Sequence, residues 1–271
     1  MEIRTPITPD DVQSKSADYL REKLVISNLF VTNSVTYLLS HHDRILIGGV
    51  TLKNYKVLLQ SPEELRAAYL LERRELGLVC LSGSVEVITD GTSHHLNAED
   101  ILYIGRGTRE VSIEGTGDIY FTSSMCHIDF PTTLIKKEES DATVLGVKKN
   151  SNERTLRKYI HDQGVASSAM AMGITTIHEG SSWNTMPCHT HERRTEVYLY
   201  FDIDENEKVV HLFGRPDSTR NLILSNKEVV ISPAWSIHTG SGTANYKFVW
   251  STAGENILYS DLDAVATKDL R

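Results

Sequence analysis

Residues 186–201 read MPCHTHERRTEVYLYF. His189 and His191 alternate, Glu196 follows five positions later, and aromatic and aliphatic residues then alternate as far as Phe201. In a β-strand successive side chains point to opposite faces, so His189 and His191 look the same way. Glu196 is an odd number of residues from both. A turn or bulge within residues 192–195 is therefore needed to bring it to their side. Beyond that break Glu196, Tyr198 and Tyr200 share one face, and Val197, Leu199 and Phe201 the other. Two imidazoles and a carboxylate converging from adjoining strands are a donor set for one divalent ion. Imidazole suits Zn, Fe, Ni or Cu, and the carboxylate adds a hard oxygen.

A further imidazole completes such a set. His238, in ISPAWSIHTGSG, is the favoured candidate, because Pro233 edges a strand there and Gly240 and Gly242 supply a turn. His211, within KVVHLF, and His178, one strand before the quoted stretch, are the alternatives. Otherwise these two read as surface or hydrogen-bonded histidines, as do His161, His94 and His95. Cys188 adjoins His189 but falls on the opposite strand face, which predicts burial and no nucleophilic role.

Around this segment the β signals dominate. KLVISNLFV, SVTYLLS, DRILIGGV, LGLVCLSGSVEVITDG, DILYIGRG, EVVISPAW and YKFVWSTAG are short and rich in Val, Ile, Leu and Tyr. Gly, Asn, Asp and Ser break them up, the pattern of a mainly all-β sandwich or barrel. Only the first 25 or so residues read as a helix, with Val12, Tyr19, Leu20 and Leu24 as its apolar face.

The chain also echoes itself. Leu71-Glu72-Arg73-Arg74-Glu75 matches His191-Glu192-Arg193-Arg194-Thr195. Each is followed by a strand, a turn and a second strand: ELGLVCLSGSVEVITDG in one copy and EVYLYFDIDENEKVVHLFG in the other. NAEDILYIGRG and NKEVVISPAW then follow in the same order, so a duplicated β-domain is expected. In the first copy Tyr69, Leu71 and Leu76 stand where the second has His189, His191 and Glu196. The expected division is an N-terminal domain, residues 1–145, without metal ligands, and a metal-binding domain, residues 146–271. The boundary lies in the charged stretch near 135–160.

Composition narrows the partners. With 24% charged residues and a formal charge of −8, the 271-residue chain lacks the basic surplus of a nucleic-acid groove or an anionic membrane surface. No apolar run reaches the ~18 residues of a membrane-spanning helix. The N-terminal segment lacks the basic-then-apolar layout of a secretory signal. Three scattered cysteines, Cys80, Cys126 and Cys188, suit a reducing cytoplasm better than a disulfide framework.

The motifs resemble the cupin superfamily. Gly180, His189-Thr190-His191 and Glu196 follow its first motif, and Pro233-Ala234-Trp235-Ser236-Ile237-His238 its second. The gap after Gly180 is longer than usual, and Trp235 replaces a customary glycine. Both departures match a narrower family, the 5-keto-4-deoxyuronate isomerases. That resemblance runs through SHHDRILIGG (40–49), YLLERRELGLV (69–79), WNTMPCHTHERRTEVYLYF (183–201) and ISPAWSIHTGSGT (231–243). It continues in the tail from Gly254-Glu255-Asn256 to Ala266-Thr267-Lys268-Asp269-Leu270-Arg271.

The resemblance implies a duplicated cupin fold of jelly-roll barrels and one zinc ion per subunit, held by His189, His191, Glu196 and His238. It also implies a homo-oligomer, a hexamer. The implied reaction converts 4-deoxy-L-threo-5-hexosulose uronate, a product of pectin breakdown, to 3-deoxy-D-glycero-2,5-hexodiulosonate, with the metal a Lewis acid toward the C1 and C2 oxygens. Tyr198 is a candidate for handling protons, and Arg193 and Arg194 for the substrate carboxylate. His41, His42, Asp43 and Arg44 form a further polar cluster, expected to approach the metal site's pocket from the first copy or a neighbouring subunit. A metal-dependent dioxygenase and a non-catalytic sugar-binding cupin are the rival classes.

Overall fold

A computed structural model describes residues 1–255, 258 and 260–271. Asn256, part of the tail resemblance, lies outside the described residues. The chain forms two compact units. One comprises Met1–Arg4, Asn28–Ser140 and Tyr159–Ala171, the other Thr5–Ser27, Asp141–Lys158 and Met172–Arg271. The described residues are mainly β, with two α-helices, in the cupin type of architecture.

The helices lie at the start of the second unit. The expected single helix is two, Pro9–Ser14 and Ala17–Leu24. Thr8 caps the first in a capping box with Asp11, and the Ser16 side chain accepts from the Tyr19 N–H to begin the second. A serine that bonds forward to the backbone starts a helix more readily than it continues one. Val12, Leu20 and Leu24 are buried as the apolar pattern expects, whereas Tyr19 is half-buried, with Lys15 and Lys23 over its ring. Within KLVISNLFV only Val25–Ile26 forms a strand, and Val31 makes an isolated bridge to Ser34.

In the first unit the strands order as Glu2–Arg4, Thr36–Ser40, Leu46–Leu58, Val111–Met125, Arg74–Thr89, Ile101–Ile104 and Thr133–Ile135, with Thr92–Asn97 also paired to Arg74–Thr89. ELGLVCLSGSVEVITDG was expected to be two strands joined by a turn. Instead Arg74–Thr89 runs unbroken, and the register shifts between Cys80 and Ser82. Gly83 explains why: its φ is +77°, and a Cβ there would fall 2.1 Å from the Thr116 carbonyl oxygen. A glycine in a bulge lets a long strand bend around the core without ending. Leu71, Leu76, Leu78, Cys80, Val85, Val87, Ile113 and Phe121 fill that core.

In the second unit a seven-stranded sheet orders as Asp141–Leu145, Arg154–Ile160, Met170–Ile177, Lys247–Gly254, Arg194–Phe201, Val229–Ser232 and Val25–Ile26. A smaller sheet holds Ser218–Leu224, Val209–Arg215 and Ile237–Gly242. Aromatic rings fill the space between them. Tyr198 packs on Phe248 at 4.6 Å between centroids and meets His211 and His238 edge-on from the other sheet. Side chains from two sheets thus interleave as in a sandwich or barrel core.

Candidate metal centre

Arg194–Phe201 is buried throughout and central in its sheet, so its alternation is converted directly into an inner and an outer face. Upstream, His189–Thr190 forms a two-residue ladder with Asp263–Ala264. A turn at Glu192 and Arg193 separates that ladder from the long strand. This is the break that parity requires. His238 comes from the smaller sheet, where it stands opposite Phe213.

One ligand-type atom from each of His189, His191, Glu196 and His238 lies within 4.8 Å of every other. His191 Nε2 is 2.9 Å from Glu196 Oε2. His238 Nε2 is 3.0 Å from His189 Nε2 and 3.2 Å from Glu196 Oε2. His191 and His238 are 3% and 0% exposed, so water contributes little to holding these groups together.

The outward nitrogens decide what lies inside. His191 Nδ1 is 2.9 Å from the Arg194 carbonyl oxygen, and His238 Nδ1 is 3.2 Å from that of Ser236. A carbonyl only accepts, so each Nδ1 carries the hydrogen and donates. As metal ligands, which must be neutral, rings held this way would turn Nε2 lone pairs inward, toward a carboxylate oxygen and a third imidazole. At these distances such groups repel unless positive charge sits among them. A divalent cation supplies that charge, and outward Nδ1–H bonds to carbonyls are how metal-binding imidazoles are commonly oriented. The four residues fit a metal.

Burial, reinforced by the neighbouring His238, pushes the His189 imidazole down to about 3, so it stays neutral and able to ligate at ordinary pH. Burial alone would raise the Glu196 carboxyl. Where no cation sits among them, positive charge and N–H donation from His238 and His191 outweigh it and hold the group well below the usual carboxylate range. Three imidazole nitrogens and one carboxylate oxygen are a suitable set for a borderline divalent ion.

The remaining predicted residues divide. Tyr198 Oη is 3.1 Å from Thr185 Oγ1 and 3.4 Å from the His238 carbonyl, beside the cluster. Arg193 points outward and pairs with Asp261 at 2.5 Å. Arg194 is buried and donates to the Leu258 carbonyl at 2.7 Å, while its own carbonyl orients His191. Cys188 is buried, as its strand parity predicts, and burial raises its thiol. His178 sits apart, bonded to Thr155 and Glu153, and His94 and His95 bond to Thr89 and Glu86. In the first unit Leu71 and Leu76 are fully buried, Tyr69 stacks under Arg109, and His41, His42, Asp43 and Arg44 form the turn between two strands.

His211 is not in the cluster but is fully buried next to it, its ring 5.9 Å from that of Tyr198. Asn184 Nδ2 donates to Tyr200 Oη at 3.2 Å, and Tyr200 Oη donates to His211 Nδ1 at 2.8 Å. Asn184 Oδ1 also accepts from the Gly240 N–H at 2.8 Å, two residues beyond His238. Sequence reasoning gave Asn184 and Thr185 no role. Their only signal was their place in WNTMP, just ahead of the histidines.

The chain matches the family model described as the KduI/IolB family over residues 26–267. It is 44% identical to a 4-deoxy-L-threo-5-hexosulose-uronate ketol-isomerase of Lachnoclostridium phytofermentans over 276 aligned residues, covering 100% of both chains. It is 41% identical to the protein of that name from Halalkalibacterium halodurans, again covering 100% of both. Among solved structures, an IolB-like protein from Salmonella typhimurium LT2 superposes with a TM-score of 0.66 at 14% identity, covering 82% of this chain and 87% of that one, a likeness of fold.

Proposed function

The chain belongs to the KduI/IolB family, and from that premise we propose that it is a 4-deoxy-L-threo-5-hexosulose-uronate ketol-isomerase. The observation that carries this reading is 44% identity to a protein so named across the full length of both chains. The enzyme converts 4-deoxy-L-threo-5-hexosulose uronate to 3-deoxy-D-glycero-2,5-hexodiulosonate, a net movement of hydrogen from C2 to C1.

The metal is zinc, one per subunit, and its ligands are His189, His191, Glu196 and His238. Their convergence within 4.8 Å supports this assignment. When bound, the ion supplies Lewis acidity toward the substrate carbonyl and hydroxyl oxygens. Glu196 is engaged as a ligand and is not the base. Tyr198 Oη, held near the cluster by Thr185, carries the proton that the isomerisation displaces. Arg193 pairs with the Asp261 carboxylate through one nitrogen, and its exposed guanidinium binds the substrate carboxylate. Arg194 is a positioning residue, acting through its carbonyl on His191. The three free cysteines support a reducing cytoplasm. The family resemblance supports a hexamer, which sedimentation velocity tests.

The deciding experiment assays the purified protein with the keto-uronate before and after chelation. Conversion lost with the metal and restored by zinc supports the reading. Full turnover in protein stripped of metal overturns the metal's role, and no turnover in the loaded protein overturns the activity.

A further inference from the structure

The first unit carries a cavity of about 200 Å3 lined in part by three arginines, Arg44, Arg73 and Arg74. Arg74 begins the strand Arg74–Thr89 and is only 4% exposed. Its terminal nitrogens donate to the carbonyls of Arg44 and Ser123 and to the Met125 sulfur. Its Nε has no partner among the described residues. A buried guanidinium bonded only to neutral groups is an expensive arrangement unless an anion completes it. Arg73, which is exposed, reaches only the carbonyls of Leu65 and Arg66 among the described residues.

Arg44 adds a second, independent sign. It and Asp43 hold left-handed backbone conformations, φ 52° and 47°, which non-glycine residues rarely adopt and which gather at ligand-binding turns. Of the lining residues only Glu64 is acidic, and the Met1 ammonium already neutralises it at 3.0 Å. Leu39 and Leu65 make part of the wall apolar.

We propose that this cavity binds a small organic carboxylate. Its anionic head lies among Arg44, Arg73 and Arg74, and its short carbon chain lies against Leu39 and Leu65. Guanidinium forks match a carboxylate in shape and charge. The apolar wall favours an anion with a carbon skeleton over a bare inorganic one, and the volume admits more than a few waters.

The test is isothermal titration of the full-length, metal-loaded protein with butyrate, with its neutral counterpart butyramide, and with inorganic phosphate. Saturable butyrate binding is expected, with butyramide silent. Arg73→Ala or Arg44→Ala should weaken butyrate roughly tenfold, the loss of one charge-assisted contact. Both side chains are exposed, so the variants keep the fold and the test does not depend on replacing buried Arg74. Four outcomes overturn the proposal: no saturable butyrate heat, equal binding of butyramide, phosphate bound in place of butyrate, or butyrate binding that both substitutions leave unchanged. The last would place the carboxylate at the metal centre.

Discussion

Acidification probes the buried imidazole of His211. It is 0% exposed, and burial, with His238 beside it, pushes its pKa from the ordinary 6.5 down to about 3. The folded value lies below the unfolded one. Between the two, the unfolded chain holds a proton that the folded chain lacks. Stability from this group is therefore intact above 6.5 and is lost as pH falls toward 3. Each pH unit in that window removes about 1.4 kcal/mol, so the whole window removes on the order of 5 kcal/mol. His211→Gln retains an amide that can meet Tyr200 Oη but cannot titrate. Unfolding by urea at pH 5 in weakly buffered solution, followed with a pH electrode, counts the protons. The wild-type protein should take up about one more proton per chain than the variant, because the contribution of His189 is common to both. Equal uptake would refute the claim that His211 is buried neutral.

Glu196→Gln removes the only anion in the cluster, and metal retained after dialysis at pH 7, read by atomic emission, should fall at least tenfold, the scale seen even for outer-sphere changes. Asn184→Leu leaves the buried N–H groups of Gly240 and Thr185 without their acceptor and should cost about 2–5 kcal/mol in urea unfolding; a change within error would show that the bonds contribute nothing. Cys80, Cys126 and Cys188 are buried, and burial raises all three thiols, Cys80 to about 12; a thiol reagent at pH 8 should titrate none of them in the native protein and all of them in denaturant. Arg193→Ala breaks only an exposed pair with Asp261, so stability should move by less than about 1 kcal/mol while KM for the keto-uronate rises; an unchanged KM would remove Arg193 from substrate binding.

Several misreadings share one cause. LSGSV has the composition of a turn, yet it lies inside a continuous strand, because Gly83 and the facing Thr116 backbone accommodate a bulge that only the partner strand defines. Ser16 splits the N-terminal helix through one side-chain bond to the Tyr19 N–H, a local competition that the apolar spacing does not register. KLVISNLFV is apolar enough for a strand but forms a ladder over Val25–Ile26 and otherwise only the Val31–Ser34 bridge.

By itself the sequence determined the inner face of Arg194–Phe201 and the need for a break before it. Each follows from alternation or residue type, which backbone geometry enforces locally. The sequence favoured His238 over His211 and His178 as the partner of His189, His191 and Glu196, but all three are imidazoles on or beside strands, and tertiary structure decided how they are placed. Pairing of Ile237–Gly242 with Val209–Arg215 sets His238 against the cluster, leaves His211 one step inside it on Tyr200, and has no counterpart for His178. The same holds for the arginine cavity: Arg73 and Arg74 are neighbours in the chain, but Arg44 reaches them only through the folded sheet. Strand parity is a property of a few consecutive residues, whereas cross-strand register depends on the whole sheet and on what the core will accept.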